Sequence, residues 1–238
     1  MHMKDHIWKI IGVVAVVAIG GSIVYSNSVS NKANEGIVFE AHVKGNPDAV
    51  VTLTEYSDFQ CPACGQFSQI VAEVMEEQGE NVRFEYKHFP LISIHPFAVP
   101  AAKAAEAAGQ QGKFFEMHDK LFENQQIWSA NANPQTYFNS YAEEIGLDMT
   151  LFKTHMKASV INDKINAEFK EARDLGLTGT PSFFLNGRRM QFSTYQDFTD
   201  QLSAAVGPKD GEEAIEESEA GAETAPKAPA ASNVRFGF

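Results

Sequence analysis

A compact β-branched run, Ala49–Tyr56 (AVVTLTEY), leads within a few residues into Cys61-Pro62-Ala63-Cys64. Apolar side chains then recur at Phe67, Ile70, Val71, Val74 and Met75, the spacing of one helix face, so a helix is predicted over 62–78. Pro62 suits its first turn, where a missing N–H costs nothing, and Gly79 can close it. Val82, Phe84, Tyr86 and His88 alternate with charged residues, which predicts a second strand ending at Pro90. Strand, helix, strand is a βαβ unit, and its connection should be right-handed.

Helical spacing then dominates from about Pro96 to Gly176. Phe97–Ala108 is an Ala-rich, close-packing helix. Phe114, Phe115, His118, Leu121 and Phe122 mark a second, Tyr137, Phe138, Tyr141 and Ile145 a third, and Leu151, Phe152 and Met156 a short fourth. A long helix through Val160, Ile165, Phe169 and Leu175 is stopped by Gly176. Strands return as Ser182–Leu185 and Arg188–Phe192 around Asn186-Gly187, a strong hairpin signal. Ser193 is placed to cap a final helix carrying Tyr195, Phe198 and Leu202. This order predicts an α/β fold with an inserted all-helical subdomain.

The chain divides into an N-terminal segment (1–25), a linker (26–39), a folded body (40–206, its helical insertion about 96–176) and a tail (207–238). Ile10–Tyr25 is sixteen residues without a charge, preceded by Lys4 and Lys9. That is the pattern of a signal anchor or a signal peptide, and the anchor is the preferred reading. Lysines before the run and an acidic body after it put the body outside the cytoplasm. The tail is rich in Ala, Glu, Gly and Pro and carries little to bury, so disorder is predicted there. Formal net charge is −12 over 238 residues, which argues against a nucleic-acid partner, since phosphates need a basic stripe.

Only two cysteines are present, too few for a multi-bridge scaffold or a four-thiolate zinc site. Both fall in one Cys-x-x-Cys at a strand-to-helix junction. A helix N-terminus presents unsatisfied N–H groups and partial positive charge, and both favour an anion. Cys61 should therefore have a depressed pKa, with Cys64 one turn further in and close enough to form a disulfide. This is the arrangement for reversible dithiol–disulfide exchange. The rival readings are a structural disulfide, half of a zinc site and two inert thiols. His42, His88, His95, His118 and His155 show no ligand-pair spacing, so no metal and no organic cofactor is expected.

Phe59-Gln60-Cys61-Pro62-Ala63-Cys64 after a strand, with Gly179-Thr180-Pro181 before a later one, resembles the thioredoxin fold. The helical insertion, Phe89-Pro90-Leu91, Ile94-His95-Pro96 and the run Gly112–His118 are similar to its DsbA branch, including membrane-anchored relatives. The resemblance implies that Pro181 is a cis-proline facing the cysteine pair. Thr180 would offer its backbone to a substrate strand. Glu55, six residues before Cys61, would lie beneath the buried cysteine and assist its proton transfer. Lys87 is a candidate partner for Glu55 across the sheet. The chain departs from DsbA in having Pro62-Ala63 between the cysteines, without a histidine, and Thr180 where DsbA has Val.

The expected function is that of an extracytoplasmic thiol–disulfide oxidoreductase, introducing disulfides into exported cysteine-containing proteins. By the resemblance, a quinone-linked membrane partner would reoxidise it. It is expected to be monomeric and to meet the membrane through its N-terminal helix. The alternatives are a reductase or isomerase of the same fold, or a tethered module that binds clients without turnover.

Overall fold

A computed structural model describes residues 33–207. The expected anchor, most of the linker and the tail beyond Gly207 lie outside the described residues. Among the described residues no helix is long and apolar enough to cross a membrane.

The elements run β1 (His42–Gly45), β2 (Val51–Ser57), α1 (Pro62–Gln78), β3 (Val82–His88), α2 (Ala98–Gly109), α3 (Phe114–Glu123), α4 (Gln125–Ser129), α5 (Gln135–Glu144), α6 (Met149–His155), α7 (Ser159–Asp174), β4 (Ser182–Leu185), β5 (Arg188–Arg189) and α8 (Tyr195–Val206). They form an α/β thioredoxin-like fold around one mixed sheet of order β1-β3-β2-β4-β5. The βαβ unit is present: β2 and β3 are parallel, in register from Val51↔Val82 to Ser57↔His88. The other pairings are antiparallel. Along β3 the even positions Val82, Phe84, Tyr86 and His88 are buried, while Arg83, Glu85 and Lys87 lie nearer solvent, as a period of two requires.

Helices α2–α7 separate β3 from β4 and make up the insertion. Seven buried alanines on α2 leave its backbone free to approach α3, α6 and α7 closely. Behind α1, Phe67 meets Phe183, Phe192, Tyr195 and Phe198, so one aromatic cluster joins α1 to β4 and α8. Gly176, at φ 74°, ends α7 in the left-handed conformation, and the Leu177 N–H returns to Ala172 O.

Several boundaries depart from expectation. β2 begins at Val51, because the Ala49 N–H closes a turn on Asn46 O and leaves Val50 exposed. The hairpin turn forms at Asn186 (φ 49°) and Gly187 (φ 76°), but β5 pairs only over Arg188–Arg189, and Met190 then turns inward. The cap of α8 is Thr194, not Ser193: its side chain accepts from the Asp197 N–H at 3.1 Å. β1 and α4 carry too few residues to show a period.

Candidate functional site

The chain leaves β2 at Ser57 and enters α1 at Pro62, so the turn between them lies at the end of the central strand. Asp58 shapes this turn. Its Oδ1 accepts the Gln60 N–H at 2.7 Å, and its backbone carbonyl accepts the Cys61 N–H at 3.0 Å. Its Oδ2 accepts the Leu91 N–H and bonds His95 Nδ1, at 2.8 and 2.7 Å. Gln60 Oε1 accepts the Phe97 N–H at 2.7 Å. The turn before the cysteines is thereby stitched to the segment after β3.

Cys61 is the N-cap of α1, in extended conformation (φ −74°, ψ 122°), and no side chain caps the helix. The first-turn N–H groups are left to the sulfur. Cys61 keeps a small exposed surface (7%) while Cys64 is fully buried, and both are free thiols. Cys61 Sγ–H donates to Thr180 O at 3.4 Å. Donation from the Cys64 thiol, aided by Thr180 and by the Ala63 and Cys64 N–H groups, pulls the Cys61 pKa down to about 6 against its own desolvation. Burial first, then the neighbouring Cys61 and Glu55, push the Cys64 thiol well up. One cysteine is a thiolate near neutral pH and its partner is a thiol.

The Thr180–Pro181 bond is cis. Both residues line a groove of about 280 Å³ that runs from Thr178 to Phe183 and along Arg189–Phe192. The cysteine pair and the cis-proline loop are brought together across 119 residues by the Cys61–Thr180 contact.

Glu55 points inward from β2 beside Tyr86 of β3 and Phe183 of β4. It is buried, and its Oε1 has no hydrogen-bond partner. Burial, opposed by the Ser57 hydroxyl and reinforced by charge at Cys61, raises its pKa to about 8. The expected partner Lys87 goes elsewhere: it bonds Glu171 at 2.7 and 2.9 Å, and Tyr56 Oη donates to the same carboxylate. Lys87 and Glu55 occupy opposite phases of neighbouring strands, so they face opposite sides of the sheet.

Three contributors escaped the sequence reading. Asp58 carried a readable signal, an Asx turn just ahead of a helix cap. Tyr86 read only as an inward strand position, yet its hydroxyl is buried without a partner and is influenced by Glu55 and Cys64. Gln125 gave no signal. It starts α4, and its Nε2 donates to Phe59 O and Cys61 O, both at 2.8 Å. A Cβ on Gly65 would come within 2.9 Å of Gln125 Oε1, so the glycine leaves room for the clamp.

The described histidines sit outside the cysteine pair. His95 is held by Asp58, and His118 by Asp119. His42 and His88, remote in sequence from each other and from Glu106, converge on that buried carboxylate together with Lys164. Sequence spacing gave no sign of this cluster: His42, His88 and Glu106 come together as a metal could be held only because β1, β3 and α2 meet at one point.

A thioredoxin family model matches residues 39–204. The Na(+)/H(+) antiporter NhaA 3 of Salinispora tropica is 39% identical over 198 residues, covering 79% of this chain and 29% of that protein. The chain thus spans less than a third of the length of this curated relative. A thioredoxin-like oxidoreductase of Silicibacter pomeroyi DSS-3 is 30% identical with a TM-score of 0.58, over 69% of this chain and 91% of that one. Wolbachia pipientis α-DsbA1 is 22% identical with a TM-score of 0.62, over 74% and 96%, a likeness of fold.

Proposed function

This chain belongs to the thioredoxin family, as an oxidoreductase with the DsbA-like fold, and on that premise we propose that it introduces disulfides into exported proteins through Cys61 and Cys64. The observation that carries the reading is the split between the two sulfurs: Cys61 drawn down to about 6 at the helix cap, and Cys64 buried and pushed up.

In the oxidised enzyme a substrate thiolate attacks Cys61 Sγ, and the Cys61–Cys64 bond breaks. Cys64 leaves as a thiolate in a site that disfavours charge, and it takes a proton. Glu55, protonated at neutral pH, is the group placed to supply it. A second substrate thiolate then attacks the substrate sulfur of the mixed disulfide. Cys61 leaves as a stabilised thiolate. The substrate has lost two electrons and two protons, and the enzyme is a reduced dithiol. Thr180 and Pro181 present the groove edge to which an extended substrate segment adds.

Return to the disulfide requires an oxidant, in this reading a quinone-linked membrane protein. Residues 1–25 tether the catalytic domain outside the cytoplasm, where exported proteins pass, and the domain acts as a monomer. The likeness to proteins named as antiporters fits a redox domain that works beside a membrane.

Trapping tests the reading. A Cys64→Ser variant should accumulate mixed disulfides through Cys61 with exported proteins and with the reoxidant. Absence of any trapped partner would sink it. A reduction potential near that of thioredoxin, about −270 mV, would reverse the direction to reductase.

A further inference from the structure

We propose that His42, His88 and Glu106 form a binding site for one Zn²⁺ ion that pins the edge strand β1 to β3 and α2. His42 Nε2 and His88 Nε2 lie 2.7 and 2.8 Å from Glu106 Oε1, and the candidate ligand atoms of all three fall within 4.8 Å of one another. In a tetrahedral zinc site with bonds of about 2.0–2.1 Å, two ligand atoms stand about 3.3 Å apart. The two His–Glu106 separations need to open by only about half an ångström to accept the ion, and the two imidazole nitrogens already lie within 4.8 Å of each other. Glu106 is fully buried, and its second oxygen, Oε2, has no hydrogen-bond partner. A carboxylate with three donors on one oxygen and none on the other is under-used as a hydrogen-bond acceptor and available as a ligand.

The surroundings hold the ligands in place. His42 stacks on Phe114 with centroids 3.5 Å apart and planes 7° apart. His88 is flanked by the rings of Phe59 and Tyr86. Two imidazoles and one carboxylate match a borderline ion such as Zn²⁺ better than calcium or magnesium, which prefer all-oxygen shells. Entry is possible from the side of His42, whose side chain is 11% exposed. Lys164 is the competitor: its Nζ donates to Glu106 Oε1 at 2.7 Å, but also to Glu168 Oε1 at 2.7 Å. When the ion arrives the ammonium keeps Glu168 and gives up Glu106. The ion would join positions 64 residues apart, and it stabilises the fold because it binds only when they meet.

The test uses the full chain with Cys61 and Cys64 closed as a disulfide, so that no thiolate competes, stripped with a chelator and titrated with Zn²⁺ alone. The expected results are one ion per chain, a raised Tm that chelator reverses, and NMR shifts of the His42 and His88 rings. His42→Gln and Glu106→Gln should each weaken binding at least about tenfold. Lys164→Gln should tighten it and should be stabilised by Zn²⁺ more than the parent, since the ion replaces the lost cation. Absence of stoichiometric binding overturns the site. So does binding that persists unchanged in His42→Gln, which places the ion on His2, His6 or elsewhere. If a variant fails to fold, the ring shifts in the unsubstituted chain decide: shifts confined to other histidines overturn the proposal.

Discussion

A thiol reacts as its anion, so what separates Cys61 from Cys64 is the environment of each sulfur. Cys61 meets N–H groups and a donating thiol, whereas Cys64 meets apolar side chains and the Glu55 carboxyl. Alkylation of the reduced protein should therefore modify Cys61 with a pH midpoint near 6, leaving Cys64 unlabelled at neutral pH. Cys64→Ala, which removes the leading donor to that thiolate, should move the midpoint upward. Glu55 has the opposite sign. Its pKa is raised in the folded state, so the native protein holds a proton that the unfolded chain releases, and stability falls as pH rises from about 4.5 through 8. Glu55→Gln should flatten this dependence in pH-dependent urea unfolding. It should also make the protein more stable at pH 8, by a few kcal/mol at most. If Glu55 relays the Cys64 proton, the same variant will turn over more slowly while Cys61 keeps its titration.

At the scale of elements, α1 is positioned by a strand before it and a helix after it in sequence. β2 delivers it to the C-terminal end of the central strand, and the insertion reaches back through Gln125 to hold the carbonyls of Phe59 and Cys61. Gln125→Leu leaves two buried carbonyls without that donor, and each such loss costs roughly 1–3 kcal/mol. A clear fall in Tm and a displaced Cys61 pKa are expected together. Gly65→Ala pushes a methyl against Gln125 Oε1 and should act in the same direction, more weakly. Helix α1 and strands β2 and β3 were legible in the chain, since each is long enough to complete its period. β1 and α4 were not: four and five residues carry no period, and each owes its place to the surfaces it packs on. The cap of α8 was misplaced by one residue, because Ser193 and Thr194 are both cap formers and only contact with Asp197 separates them.

For the molecule as a whole, a Cys61–Cys64 disulfide would close so short a loop that reducing it removes little constraint from the unfolded chain. Thiolate stabilisation favours the reduced native state. The Cys61 pKa drops from 9.0 to about 6 on folding, so this contribution is complete above about 9 and lost as pH falls through about 6. Calorimetry should find the reduced protein at least as stable as the oxidised one at pH 8, with the difference closing towards pH 5. A reduced form that melts lower at pH 8 would contradict the thiolate assignment. By itself the chain determined the βαβ core, the helical insertion, the hairpin and the pairing of two cysteines at a helix cap. These depend on periodicity and on neighbours a few residues away. Only the tertiary structure decided that Glu55 is buried without Lys87, that Gln125 clamps the redox turn, that Thr180 meets Cys61 and that His42, His88 and Glu106 converge. Each joins positions remote in sequence. Their chemistry depends on burial and on distances of a few ångströms, which exist only once the sheet and the insertion have packed.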